Sequence, residues 1–334
     1  MNVFIVTEAG KKIGFGHLSR CAALYDAFKL KKISPVLIVN GDAASQKTLG
    51  TRNHLRFNWL KSSSRLIGLI KDADIMVIDS YLADQALYRE LARQVKLAAY
   101  IDDTKRLNYP KGVVINGNAY GTRVNYPRST GMHYLLGPEY SLLRKNFWNR
   151  SSKKIEPKVT NVLVTFGGGD FLNLTPRIVR LLSREYPAIT KDVVVGKYFK
   201  NASAVRKTAD ANTRLIYNAD ASQIKKKMIK ADLAISAAGQ TLGELASLGV
   251  PAIAVCAADN QKDNLRAWQR HGFIGCPNPQ HGKSLEETVL RGLKTLMPHR
   301  NRLRLSQRIR KAVNRQGAVA IAQALIDRLK TARG

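Results

Sequence analysis

Short, continuous apolar runs rich in β-branched residues alternate with helix-like stretches along this chain, and no other feature restricts its fold as much. In the first half the runs cover residues 3–7, 35–40, 75–79, 97–102, 113–116 and 134–136. In the second half they cover 161–166, 192–196, 214–217, 233–236, 252–256 and 273–275. Helix-like stretches lie between them, among others 17–30, 84–94, 174–186, 222–230, 242–248 and 260–270. Strands that are apolar on both sides and separated by helices call for parallel sheets covered on both faces. The series restarts once. Residues 145–157 are polar, basic and end in proline, and the strand that follows opens into a new glycine loop, Gly167-Gly168-Gly169. The expected fold class is α/β, with two doubly wound parallel-sheet (Rossmann-like) domains facing a cleft. The expected boundaries are 1–150 for the first domain and 157–317 for the second. An amphipathic C-terminal helix in 318–334 is expected to pack back on the first domain.

In open α/β sheets ligands sit at the carboxyl ends of strands, so chemistry is sought there. The first strand runs into Gly10-Lys11-Lys12-Ile13-Gly14-Phe15-Gly16-His17, and a helix follows. Gly14 and Gly16 allow a tight turn and close approach of backbone to a ligand. The helix start offers N–H groups to an anion. It also disfavours added positive charge, which leaves His17 able to accept a proton. A histidine that merely caps the helix is the plainer alternative. The loop is neither a dinucleotide G-x-G-x-x-G with its acid nor a Walker A loop. Asp79 closes a strand and Tyr81 follows it. An acid and a phenol at that edge can orient a histidine, a water or a sugar hydroxyl, or the acid can cap the next helix. Asp102-Asp103 end the next strand in the same way. Asp72-Ala73-Asp74 resembles a metal-binding D-x-D but precedes its strand, so it lies at the wrong edge.

The second half repeats the arrangement. Gly168 and Gly169 lead from a strand toward a helix and could hold phosphate with backbone N–H groups. Gly239, Gln240 and Thr241 do the same at the next loop, where helix dipole, free N–H groups and a hydroxyl converge. Glu244, one turn in, could reach a ribose diol or simply oppose the helix dipole. Asn260 and Gln261 follow the next strand, placed to grip sugar hydroxyls or phosphate. His54, His133, His271, His281 and His299 show no pairing at metal spacing and read as surface or packing residues, so no metal and no cofactor is expected.

The composition fits an ordinary globular protein: 334 residues, 45% hydrophobic and 24% charged. It excludes a disordered or fibrous chain, and no run approaches the roughly 20 apolar residues of a membrane span. The first residues read as a strand, not as a signal peptide. Cys21, Cys256 and Cys276 are isolated, which excludes a disulfide framework and fits a reducing cytoplasm. The charge is unusual. Lys and Arg number 55 against 24 Asp and Glu, a net +31. Arg300, Arg302, Arg304, Arg308, Arg310, Lys311 and Arg315 crowd together, with smaller clusters at Lys225-Lys226-Lys227 and Lys153-Lys154. Solvated helix faces are the plain reading, and a phosphate-rich substrate or peripheral contact with an anionic membrane is the sharper one. Nucleic acid is not expected. No zinc-finger, RNP or KH signature is present, and Trp148 and Trp268 are not interleaved with basic residues.

Taken in order, G-F-G-H-L-S-R-C (14–21), V-I-D-S-Y (77–81), I-D-D (101–103), L-L-G-P-E-Y-S-L-L-R (135–144), F-G-G-G-D, A-A-G-Q-T-L-G-E and A-D-N-Q resemble the PseG-type nucleotide-sugar hydrolases of pseudaminic acid biosynthesis. The resemblance covers about residues 1–275. It implies a glycosyltransferase-B fold shared with MurG-like transferases. It also implies metal-independent hydrolysis of UDP-2,4-diacetamido-2,4,6-trideoxy-β-L-altropyranose to UDP and free sugar. Under it His17 is the catalytic histidine and Tyr81 the tyrosine of D-x-Y, with Asp79 beside them. Arg20 joins the substrate-binding set with Gly14, Gly16, Gly168, Gly169, Gly239, Gln240, Thr241, Glu244, Asn260 and Gln261. Gln240 stands where a small hydroxyl residue is expected. The alternative is a MurG-like transferase that uses a UDP-sugar donor and a sugar or lipid-linked acceptor.

Overall fold

A computed structural model describes residues 1–10, 13–127, 129–149, 153–280 and 285–331. Its contacts divide the chain into two compact units, Met1–Trp148 with Asn314–Gly334, and Asn149–Val313.

In the first unit, β1 (Val3–Ala9), β2 (Val36–Gly41), β3 (His54–Arg56), β4 (Ala73–Asp79), β5 (Val95–Ile101), β6 (Gly112–Asn116) and β7 (Met132–Leu136) form one sheet in the order β3-β2-β1-β4-β5-β6-β7. Every pairing is parallel. Ile5, Val6, Ile38, Ile75, Val77 and Ala99 are buried, as strands covered on both faces require. Helices α1 (Gly16–Leu30), α2 (Gln46–Leu49), α3 (Ser63–Ile70) and α4 (Gln85–Arg93) make the connections. The sequence pattern missed β3, because three residues reading His-Leu-Arg carry no apolar run. It is an edge strand held in register by β2. The strand order reverses between β1 and β4, and such a switch opens a crevice at the strand C-termini.

The second unit repeats this plan. Strands β8 (Asn161–Thr165), β9 (Thr190–Val195), β10 (Thr213–Tyr217), β11 (Leu233–Ala237), β12 (Ala252–Val255) and β13 (Ile274–Cys276) form a parallel sheet ordered β10-β9-β8-β11-β12-β13. Its switch lies between β8 and β11. The helices are α5 (Leu174–Glu185), α6 (Ala202–Thr208), α7 (Ala221–Lys230), α8 (Thr241–Leu248), α9 (Lys262–His271), α10 (Leu285–Leu296) and α11 (His299–Arg310). Asp220 and Gln223 close a capping box at the start of α7.

The last helix, α12 (Gly317–Thr331), belongs to the first unit and packs on α1. It buries Ala318, Ile321, Ala322, Leu325 and Leu329. Gly317 begins it because a Cβ there would lie 2.5 Å from the Ser141 carbonyl oxygen. Among the described residues no helix is long and apolar enough to cross a membrane.

The arginine-rich stretch becomes α11, and its chemistry is partly internal. Arg302 is fully buried and donates to the carbonyls of Glu156 (2.8 Å) and Pro157 (2.9 Å). Arg310 donates to the Lys153 carbonyl at 2.8 Å, and His299 Nε2 bonds the Ile155 carbonyl at 3.0 Å. Arg308 reaches the Arg270 carbonyl. Arg302, Arg310 and His299 clamp the segment that leads into β8, so for Arg302 and Arg310 the reading of the cluster as a solvated face is corrected. Arg300, Arg304 and Lys311 stay exposed.

Two predictions follow from burial and charge. Arg302→Ala strands two carbonyls that now accept charged hydrogen bonds, so it should cost about 2–4 kcal/mol in urea unfolding; a loss within error would contradict the clamp. Asp210 pairs with the fully buried Lys191 at 2.6 Å. Burial alone would raise the Asp210 carboxyl, but the bonds from Lys191 and Thr213 outweigh it and hold it at about 2. A carboxyl depressed on folding stabilises the fold above its unfolded value, and that stability fades as pH falls toward the folded one. Asp210→Asn should therefore cost about 2 kcal/mol at neutral pH, with the gap closing as pH falls from about 5 to about 2.5. A gap that does not change with pH would contradict the pairing.

Candidate functional site

The site residues of the first unit gather around its strand-order switch. Gly10 and Gly14 exchange backbone hydrogen bonds (3.2 and 2.7 Å), which closes the loop after β1 into a tight turn. Gly14 has φ +81°, a conformation that disfavours any side chain. Lys11 and Lys12, part of the same loop, lie outside the described residues. Gly16 is exposed with nothing within 4 Å of a hypothetical Cβ, so open space lies beside it. Helix α1 starts after Phe15 with no side chain capping it and no acid in its first turn. His17 and Arg20, one turn apart, therefore share a helix face. Asp79 ends β4, the neighbour of β1, in register with Thr7.

These three side chains form one buried cluster. His17 Nδ1 lies 2.6 Å from Asp79 Oδ1. Arg20 grips Asp79 with two bonds, Nε to Oδ2 at 2.5 Å and Nη2 to Oδ1 at 2.6 Å. Burial would raise the Asp79 carboxyl, but Arg20 and His17 outweigh it and hold it well below the usual carboxylate range. An ionised carboxylate only accepts, so the short contact requires a proton on Nδ1. Nε2 has no hydrogen-bond partner among the described residues and is left able to accept one. His17 is 6% exposed. Tyr81 meets its ring edge-on with centroids 4.4 Å apart.

Arg20 was expected at the substrate. It is buried instead, and its remaining nitrogen, Nη1, lies 2.8 Å from both oxygens of Asp103, which follows β5. Asp103 also accepts from the Tyr81 hydroxyl at 2.5 Å and from Asn118 Nδ2 at 2.6 Å. Burial and then the Asp103 charge push the Tyr81 phenol far up, so it stays protonated and donates. Burial opposes ionisation of Asp103, but Arg20 prevails and holds its carboxyl low. Glu8, fully buried at the end of β1, accepts from Ser80 Oγ (2.8 Å) and Tyr81 N (2.7 Å) and so sets the turn that carries Tyr81. Sequence reasoning gave no role to Glu8 or Asn118, and it marked Asp103 only as an acid at a strand end. The one available signal was that each follows or ends a strand. Cys21, one turn after His17, is buried 3.7 Å from Asp79, and burial and that charge raise its thiol well above the usual range. It is no ready nucleophile.

In the second unit the two glycine loops differ. Asp170 accepts from the N–H groups of Leu174 (2.9 Å) and Thr175 (2.7 Å) at the start of α5. The N–H groups at the start of α5, beyond the Gly168 and Gly169 loop, are thus already held by a carboxylate. The Gly168 carbonyl accepts from Tyr198 N at 2.9 Å. By contrast, α8 begins at Gln240 with no side-chain cap. Asn264 pins the approach to it, donating to the carbonyls of Ala238 (2.8 Å) and Gly239 (3.2 Å). Gln240 is exposed, Gly239 and Thr241 are half-buried, and Glu244 is buried in the first turn of α8. Gln261 accepts from Ala257 N at 3.0 Å with its carboxamide oxygen, beside exposed Asn260. The α8 loop is therefore the better anion cradle of the two.

Among the described residues no three His, Cys, Asp or Glu side chains gather as they would around a metal ion. Of the remaining histidines, His54 bonds the Arg52 carbonyl (2.7 Å), His271 lies near Trp268, and His133 sits on β7. His281 lies outside the described residues.

No protein-family model matches the chain. An uncharacterized protein of Methanocaldococcus jannaschii is 23% identical over 280 residues, which are 79% of this chain and 57% of that protein. The chain thus spans little more than half the length of this curated relative. Several solved structures are similar over nearly the whole chain. MurG of Acinetobacter baumannii has a TM-score of 0.67 at 14% identity, covering 98% of this chain and 100% of MurG. UGT2 of Phytolacca americana, solved with UDP-2-fluoro-glucose and pterostilbene, has 0.67 at 11%, covering 99% and 100%. A candidate UDP-N-acetylglucosamine 2-epimerase of Listeria monocytogenes has 0.66 at 11%, covering 99% and 98%. At such identities the likeness speaks for the fold, and with two parallel α/β sheets of seven and six strands the chain has the glycosyltransferase-B fold.

Proposed function

We propose that this chain acts on a UDP-sugar and hydrolyses it to UDP and free sugar. The substrate we propose is a UDP-linked diacetamido-trideoxy sugar, as the PseG-type resemblance implies. The observation that carries the reading is the pairing of His17 Nδ1 with an ionised Asp79, which leaves Nε2 as a lone base at the strand-order switch of the first unit. Proteins of the same fold include one solved with a UDP-sugar analogue, which supports a nucleotide-sugar substrate here.

In the proposed reaction His17 Nε2 takes a proton from water. The water oxygen forms a bond to the anomeric carbon on the side opposite the nucleotide, and the C1–O bond breaks. Its electron pair leaves with the diphosphate, and the sugar inverts. The imidazolium that forms is stabilised by Asp79, the role an orienting carboxylate plays beside a catalytic histidine. The uncapped start of α8 at Gly239, Gln240 and Thr241 would meet the charge that develops on the diphosphate, with Glu244, Asn260 and Gln261 toward ribose and phosphate. These fixed dipoles make UDP a good leaving group, so the proposed step calls for no metal ion. A cytoplasmic setting is part of the proposal, supported by three cysteines that are free and buried.

General-base catalysis is typically worth 10²–10⁴-fold, so His17→Asn should lose about that much turnover while UDP affinity changes little. Parent-level turnover in the variant would remove His17 from the reaction. In ¹⁸O-water without acceptor, label is expected in the released sugar, and activity is expected to persist in EDTA. Label in UDP would mean attack at phosphorus. Turnover only when a sugar or lipid-linked acceptor is added would favour the transferase alternative.

A further inference from the structure

We propose that Asp103 is a positioning residue for His17: by holding Arg20 Nη1 and the Tyr81 hydroxyl it keeps the imidazole in the tautomer that leaves Nε2 bare. The inference rests on the proposed base role of His17 for its catalytic meaning, but its structural content stands by itself.

The problem Asp103 solves is a competition at one nitrogen. Arg20 Nη2 lies 3.1 Å from His17 Nδ1, close enough to donate to it. If it did, Nδ1 would become an acceptor, the ring proton would move to Nε2, and the base would be lost. In the structure Nη2 turns to Asp79 Oδ1 at 2.6 Å, and Nδ1 donates to the same oxygen. The guanidinium is held there by its two bonds to Asp79 together with the opposite end of its fork. Nη1 sits 2.8 Å from each Asp103 oxygen, so the planar group is fixed between two carboxylates. Arg20 is 5% exposed, so a freed Nη1 would find little water. Without Asp103 the guanidinium keeps only its Asp79 edge as an anchor, so Nη2 is freer to be shared between Asp79 Oδ1 and His17 Nδ1, which is already within reach.

The second hand of Asp103 acts on the other side of the ring. Its Oδ2 accepts the Tyr81 hydroxyl at 2.5 Å, and Tyr81 packs edge-on against His17. One carboxylate thus fixes both neighbours of the imidazole without touching it. Asn118 holds the other oxygen, Oδ1, at 2.6 Å, which keeps the carboxylate from turning. Asp103 has no capacity left over for substrate. Its two oxygens already accept from Arg20, Tyr81 and Asn118.

The test reads the tautomer directly. ¹⁵N NMR of histidine-labelled protein near neutral pH distinguishes the Nδ1–H from the Nε2–H form at His17, assigned by its loss in His17→Asn. The unmodified protein is expected in the Nδ1–H form, and an Nε2–H form there overturns the proposal whatever any variant does. In Asp103→Asn the Nε2–H form is expected to appear. Turnover of UDP-sugar is expected to fall about 10- to 100-fold with KM nearly unchanged. Asp103→Glu, which keeps the charge, is expected to restore much of the parent tautomer. An Asp103→Asn protein that folds, keeps the parent tautomer and turns over at the parent rate overturns the proposal. If instead the tautomer shifts but the unmodified protein hydrolyses no UDP-sugar, the proposed function fails and the positioning role survives.

Discussion

Arg20 is the pivot of the first unit's site. Its guanidinium is shared between Asp79, at the end of β4, and Asp103, after β5, while its own backbone lies in the second turn of α1. Neither carboxylate could stay ionised at such burial without it, because stripping water from a lone carboxylate costs more than the fold can offset. With the guanidinium in place both are held low, and His17 has an acceptor-only partner at Nδ1. Three elements that are distant in sequence are thereby tied at one point, and the chemistry of the imidazole follows from that tie.

The two units solve the same topological problem with different chemistry. In each, the strand order reverses beside the central strand, and the loops after the two flanking strands diverge there. In the first unit that position holds a charged side-chain network around His17. In the second it holds main-chain groups at the start of α8, with Asn264 pinning the loop and no side chain capping the helix. A side-chain network suits proton transfer, because it fixes a tautomer. Uncapped amides suit a spread negative charge, because they donate without needing to ionise.

Much of this was legible in the sequence, for stated reasons. Strands apolar on both faces announced parallel sheets, and the second glycine loop announced the restart. That Asp79 closes a strand, with Tyr81 just after it and His17 at the start of the first helix, could be read from the pattern alone. Arg20 was misread because its helical spacing from His17 says that the two share a face, but not that two carboxylates close over it. Asp103 was visible as a strand-end acid, but its contacts with Arg20 and Tyr81, and any part for Asn118, appear only once β5 and β6 lie side by side. At Gly168 and Gly169 the sequence showed a glycine loop ahead of a helix. That Asp170 would fold back onto the N–H groups of Leu174 and Thr175 depends on Asn173 adopting a left-handed turn, φ 53°. The arginine-rich stretch misled through composition. Arginines are seldom buried, yet Arg302 is, because the carbonyls ahead of β8 needed donors.

A crystal structure with a UDP-sugar analogue that resists cleavage at the anomeric carbon tests the central claim most directly. The account predicts an ordered water within hydrogen-bond distance of His17 Nε2, placed opposite the bond to the nucleotide, with Nδ1 still on Asp79. A bound sugar whose anomeric carbon lies beyond the reach of that water, or an imidazole turned so that Nε2 faces Asp79, would contradict it.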